Sequence, residues 1–125
     1  MNKYISEVPN APKAVGPYSP VVVTGTYTFM SGQIPIDPAT GKLCGEGIEE
    51  QTEQVMKNIK AVLAHVNKSF TDIVKTTIFL SDLGNFQIVN EIYGRWMNGH
   101  KPARSTVQVA ALPMASKVEI ECIVG

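Results

Sequence analysis

The sequence predicts an α+β domain in which a mixed β-sheet carries two helices packed on one face. Three observations lead there. The chain has 125 residues, the size of one ordinary domain spanning 1–125. Its apolar residues switch between a period of two and a helical period, so the elements run several strands, helix, strand, helix, two strands. Two helices are too few to cover both faces of a sheet of about five or six strands, so both are expected on one face, with the other left over for a partner.

Each element has its own signal. Residues 9–20 are punctuated by Pro9, Pro12, Pro17 and Pro20, which predicts a stiff extended arm and no helix. "VVVTGTYTFMSG" (21–32) reads as two β-rich runs turning at Thr24-Gly25-Thr26. "SGQIP" (31–35) is read as a turn. "DPATGK" (37–42) is a second, with Pro38 suited to its second position and Gly41 free to take positive φ. From Ile48, Val55, Ile59, Val62 and Val66 recur at helical spacing, widened by Leu63. Glu49, Glu50 and Glu53 come early in that helix and Lys60 and Lys68 late, the order its dipole favours. "DIVKTTIFLSDL" (72–83) is β-branched and apolar on both faces, as a central strand should be. A second helix capped near Asp82 or Asn85 runs through Phe86, Val89, Tyr93 and Trp96. "ARSTVQVA" and "SKVEIECIV" close the chain as two strands around "ALPMAS".

Composition narrows the chemistry. Lys+Arg and Asp+Glu are both 11, and no basic block appears, which speaks against a polyanion binder. Cys44 and Cys122 are too few for a disulfide framework and read as reduced thiols. With no apolar leader and no membrane-length run, a cytoplasmic protein is expected. Ser105 follows an arginine but lacks a GxSxG setting, and His65 and His100 stand alone without metal-ligand spacing. The glycines match neither a phosphate-binding loop nor a dinucleotide fingerprint, so no metal and no cofactor are expected.

Arg104 is the residue that asks for an explanation. As a strand, "KPARSTVQV" puts Ser105, Val107 and Val109 on one face and Arg104, Thr106 and Gln108 on the other. The Arg104 set, with Glu119 and Glu121 of the last strand, is expected on the uncovered, half-polar face. That face either lies in water or surrounds a polar cleft between subunits. Arg104 could pair with Glu119 or Glu121 across a final hairpin, or wait for an anion from solution. Tyr18 could simply anchor the proline arm, and Gly32 bend the backbone.

Taken together, "GPYSP", "SGQIPIDPATGKL", "EEQTEQVMKNIKAVL", "DIVKTTIFLSDL", "FQIVNEIY", "HKPARSTVQVAALP" and "VEIECI" resemble the Rid family of reactive-intermediate imine deaminases, also called YjgF, across essentially the whole chain. The resemblance implies a chorismate-mutase-like fold assembled as a homotrimer around a central β-barrel, with ligand clefts between subunits. It implies substrates that are 2-imino acids, 2-iminopropanoate and 2-iminobutanoate, hydrolysed to 2-oxo acids and ammonia. The family's carboxylate-binding arginine matches Arg104, its tyrosine after Gly-Pro matches Tyr18, and its SG pair matches Ser31 and Gly32. The family's helix asparagine matches Asn90, and the first glutamate of its E-x-E matches Glu119. Where archetypal members carry cysteine, this chain has Thr106, which keeps the backbone carbonyl and removes the thiol. A planar guanidinium holds a carboxylate by two parallel charge-assisted hydrogen bonds. Glu119 would then orient the water or relay a proton, while Tyr18, expected from a neighbouring subunit, closes the pocket. An endoribonuclease, and a non-catalytic trimer binding small carboxylates, are the two rival readings.

Overall fold

The computed structural model describes residues 1–125. Strands β1 (Lys3–Ile5), β2 (Val21–Val23) and β3 (Thr28–Gln33) are followed by the short pair β4 (Ile36–Asp37) and β5 (Lys42–Leu43). Helix α1 (Ile48–His65), strand β6 (Ile73–Leu80), helix α2 (Phe86–Met97) and strands β7 (Ala103–Gln108) and β8 (Val118–Val124) complete the chain.

The main sheet has six strands in the order β1-β2-β3-β8-β6-β7. β6 and β7 are parallel and the remaining neighbours antiparallel. α2 is the crossover that a parallel pair requires. Two of the three predicted turns form. Thr24 Oγ1 accepts from Tyr27 N at 2.9 Å between β2 and β3. Gly41 takes φ +73 between β4 and β5, where Asp37 Oδ1 accepts from Ala39 N. The strand β1 lies within a stretch for which no strand is predicted.

Both helices pack on one face of the sheet. Val55, Ile59, Val62 and Leu63 of α1 are buried, with Val89, Tyr93 and Met97 of α2, against Met30, Ile78, Leu80, Ile120 and Cys122 of the sheet. Asn58 is buried within this layer and donates to the carbonyls of Ile34 and Ile36, fixing β4 to α1. Glu50 accepts from Gly47 N at the start of α1, and Asp82 Oδ1 caps the turn leading into α2, whose N-cap is Asn85. α2 ends where Asn98 and Gly99 take positive φ. No helix is long and apolar enough to cross a membrane.

Two expectations about the end of the chain fail. β7 and β8 do not form a hairpin, because β6 lies between them. Arg104 therefore cannot pair with Glu119 or Glu121 as cross-strand neighbours. The face assignment also reverses. Arg104, Thr106 and Gln108 stand in register with Thr76, Ile78 and Leu80, which are buried beneath the helices. Glu119 and Glu121 stand in register with Phe79 and Thr77, on the opposite, open face. Alternation correctly groups the residues of each strand, but only the pairing of β6 with both neighbours assigns each group to a face. "SGQ" is also no turn. Ser31, Gly32 and Gln33 belong to β3, which bulges between Met30 and Gln33.

Candidate functional site

The candidate residues fall into two groups. The first lies at the outer edge of the sheet, beneath α2. Arg104 leaves β7 toward the helix side, and Phe86, Asn90 and Tyr93 approach it from successive turns of α2. Its Nη1 donates to Asn90 Oδ1 at 2.7 Å. Its Cζ lies 5.2 Å from the Tyr93 ring centroid and 5.6 Å from that of Phe86. Tyr93 is buried, and its hydroxyl is hydrogen-bonded to Thr76 Oγ1 at 2.8 Å. Burial pushes the Tyr93 phenol above its usual value, so it stays protonated at neutral pH. A groove of about 450 Å³ opens here, lined by Asn90, Tyr93, Met97, His100, Lys101 and Arg104 among others, with no carboxylate in its wall. Thr106, two residues beyond Arg104 on the same strand face, keeps a buried hydroxyl without a partner.

The second group lies on the open face and around the proline arm. Glu119 of β8 occupies the space left by the missing side chain of Gly32. A Cβ there would collide with Glu119 Oε2 and stand 2.8 Å from its Cδ. Glu119 as it stands fills the room a Cβ would take, and Gly32 also lies within the bulge of β3 between Met30 and Gln33. Ser31 ties this part of β3 to the arm, its N–H donating to Pro20 O at 2.9 Å and its hydroxyl to Ser19 O at 2.6 Å. Tyr18, half-exposed, shares with Gly32, Ile34 and Lys13 a small cleft of about 30 Å³. Burial raises the Glu119 carboxyl above the ordinary glutamate value, and the nearby charge of Glu121 raises it further. The chain's one ion pair, Arg95 with Glu53, leaves Glu119 without a cation.

Arg104 and Asn90 therefore meet, as do Gly32 and Glu119, and Tyr18 shares a cleft with Gly32. The two groups do not meet within one chain, because the sheet separates them. Ser105 projects from the open face and accepts from Lys75 Nζ at 3.0 Å. His100 is engaged with Ile73 O and His65 lies exposed on α1. Phe86 and Tyr93 were placed by sequence only on the packing stripe of α2. Their spacing with Asn90 was the one available signal that all three face the same cation.

Residues 8–125 match a family model described as Endoribonuclease L-PSP. Protein DfrA of Myxococcus xanthus is 56% identical over 115 residues, covering 90% of this chain and 88% of that protein. The human 2-iminobutanoate/2-iminopropanoate deaminase is 43% identical over 113 residues, covering 90% and 82%. Among solved structures, E. coli TdcF with bound serine superposes with a TM-score of 0.91 at 41% identity, covering 98% of each chain.

Proposed function

Because this chain belongs to the Rid (YjgF) family, described as Endoribonuclease L-PSP, we propose that it hydrolyses small 2-imino acids, 2-iminopropanoate and 2-iminobutanoate, to 2-oxo acids and ammonia. The observation that carries this reading is Arg104. It sits in a groove without carboxylates, and only one nitrogen of its guanidinium, Nη1, is engaged, by Asn90. A guanidinium has five N–H donors, so a fork remains for a carboxylate from solution. The human relative's name gives an imino acid as its substrate, and the TdcF structure holds serine, which also bears a carboxylate.

In this reading the site is completed by a second copy. β7 is an edge strand, paired on one side only, and Arg104 stands on it. The open face of the sheet exposes Phe29 and Val107 beside Glu119 and Glu121, a surface suited to another subunit. Arg104, Asn90 and Thr106 of one chain would meet Tyr18, Ser31, Gly32 and Glu119 of the next in a homotrimer closed around a central barrel. Sedimentation equilibrium is expected to give three times 13.6 kDa. A monomer would leave each half-site incomplete and remove this arrangement.

The chemistry follows from these roles. Arg104 fixes the carboxylate, which places the adjacent imine carbon. Water adds to that carbon as Glu119 takes one of its protons and delivers it to nitrogen, giving a carbinolamine. The remaining hydroxyl proton then passes to the amine by the same carboxyl, the C–N bond breaks and ammonia leaves as the C=O forms. A carboxyl raised above its usual value takes up a proton more readily than an ordinary glutamate near neutrality, which suits it to accept the proton of the attacking water. The Tyr18 hydroxyl and the Gly32 backbone close the pocket. The imine is already electrophilic, so positioning supplies most of the acceleration and no covalent nucleophile is required. Two unpaired thiols suit a reducing cytoplasm.

Zero net charge makes RNA cleavage the weaker reading, because backbone binding relies on clustered cations. The deciding assay generates 2-iminobutanoate with a threonine dehydratase and follows its loss. Acceleration by this protein, abolished in Arg104→Ala, is expected. A rate equal to buffer would overturn the reading and leave a carboxylate-binding trimer.

A further inference from the structure

We propose that Tyr93 is a positioning residue for Arg104: its ring carries the guanidinium, and its hydroxyl, held by Thr76, fixes the ring. The inference rests on the reading of Arg104 as the carboxylate holder. It assigns to α2 the task of keeping that holder in one orientation.

The argument begins with the register. Thr76 and Arg104 are direct partners across β6 and β7, so their side chains leave the sheet side by side on the helix face. Tyr93 spans both. Its hydroxyl is bonded to the buried Thr76, and its ring lies 5.2 Å from the Arg104 Cζ. Asn90, one turn earlier, takes Nη1 at 2.7 Å, and Phe86, a further turn earlier, lies 5.6 Å away. The guanidinium is thus held by a hydrogen bond and two rings, all from one helix, without using a carboxylate.

A core tyrosine that only filled volume would need none of this. A phenol hydroxyl taken out of water must find a partner, and phenylalanine would fill the space without that demand. The hydroxyl earns its place by anchoring the ring to β6, the strand beside the one that carries Arg104. An arginine free to sample its rotamers would lose that freedom when a ligand bound, and the loss would weaken binding. An arginine already held by rings and an amide binds without that loss. A glutamate partner would also hold it, but would compete with the substrate's carboxylate. Aromatic faces and an amide oxygen hold a cation while leaving its charge available.

Affinity for 2-oxobutanoate, measured by calorimetry, tests this in variants of the full chain. A cation–π contact is worth about 0.5–2 kcal/mol, so Tyr93→Leu should weaken binding about two- to thirtyfold. Tyr93→Phe keeps the ring but frees it from Thr76, so it should bind more weakly than wild type and more tightly than Tyr93→Leu, and melt lower because Thr76 loses its buried partner. Affinity that falls stepwise with loss of the tie and then of the ring, out of proportion to the loss of stability, is what a purely structural role does not give. The Arg104→Lys penalty should also shrink in the Tyr93→Leu background, since an unsupported arginine has lost the orientation that distinguishes it from lysine. Unchanged affinity in Tyr93→Leu, or penalties that simply multiply, would overturn the inference while leaving Arg104 in its role. Absence of 2-oxobutanoate binding by the wild type would overturn the reading of Arg104 itself. Should Tyr93→Leu fail to fold, Tyr93→Met carries the same expectations.

Discussion

Replacing Gly32 with alanine should disable the site while leaving the fold intact. A Cβ at this position collides with Glu119 Oε2 and lies 2.8 Å from Cδ and 3.1 Å from Cγ. Carbon atoms in comfortable contact stand about 3.5–4.0 Å apart, so the carboxyl must move by about an ångström or change rotamer. The backbone itself offers no resistance, because Gly32 is not among the residues with positive φ. Alanine in an unstrained glycine position stabilises by about 0.4–1 kcal/mol through the unfolded state, which offsets part of the cost of moving Glu119. Catalysis has no such compensation. A misplacement of about 1 Å costs roughly a hundredfold, and a lost proton relay about 10²–10⁴. Imine hydrolysis by Gly32→Ala is therefore expected to fall about a hundredfold, with a melting temperature within a few degrees of wild type and 2-oxobutanoate binding kept by Arg104. The double variant Gly32→Ala/Glu119→Gln should be no slower than Glu119→Gln alone, since both changes act on one carboxyl. A Gly32→Ala variant turning over at the wild-type rate, or losses that multiply in the double variant, would refute the coupling of Gly32 to Glu119.

Arg104→Ala should lower 2-oxobutanoate affinity by about thirtyfold to several thousandfold, as truncating a desolvated charge-assisted contact does, with Arg104→Lys recovering part of it. Calorimetry decides, and unchanged affinity would remove Arg104 from the site. Glu119→Gln should gain stability relative to wild type as pH rises. The native state binds the Glu119 proton more tightly than the unfolded chain, so wild-type stability falls between the ordinary and the raised value. Melting temperatures that keep a constant difference across that range would show that Glu119 is not perturbed. Cys122 is buried on β8 and its thiol is pushed up to about 12, so iodoacetamide at neutral pH should leave it unmodified in the native protein. Mass spectrometry reporting rapid alkylation with loss of activity would contradict that burial. Asn58→Ala strips a shared donor from the buried carbonyls of Ile34 and Ile36 and should cost about 1–3 kcal/mol in urea denaturation.

The helices and the central strand were legible because their signals are local. A stripe from Val55 to Val66 has one consistent reading, and Ile73–Leu80, apolar on both faces, does pair on both sides. The order of the strands is a non-local fact. Nothing in "ARSTVQVAALPMASKVEIECIV" tells a hairpin from two strands with a third between them, since both arrangements alternate identically. That ambiguity alone sent Arg104 to the open face. Its consequence reaches the function, because an Arg104–Glu119 pair on one face would make each chain a complete site with a self-neutralised arginine.

The observed topology makes the opposite arrangement. With β6 inserted between β7 and β8, the arginine faces α2 and the glutamate faces away from it. Each is then kept from the partner that would silence it. Arg104 is held by an amide and two rings, which leave its charge unspent, and Glu119 is held in a glycine-shaped space without a cation, which leaves its proton affinity high. An ion pair between Arg104 and Glu119 within one chain would occupy the guanidinium's fork and lower the carboxyl's proton affinity. The sheet keeps the two apart within one chain, and in the proposed trimer they would approach one substrate only across copies. The Glu119 titration offers a direct check on that step. Docking of an Arg104 edge against Glu119 would draw its raised value back down, so dilution of the wild type through dissociation should raise it. A Glu119 titration independent of protein concentration across the dissociation range would separate the two half-sites for good.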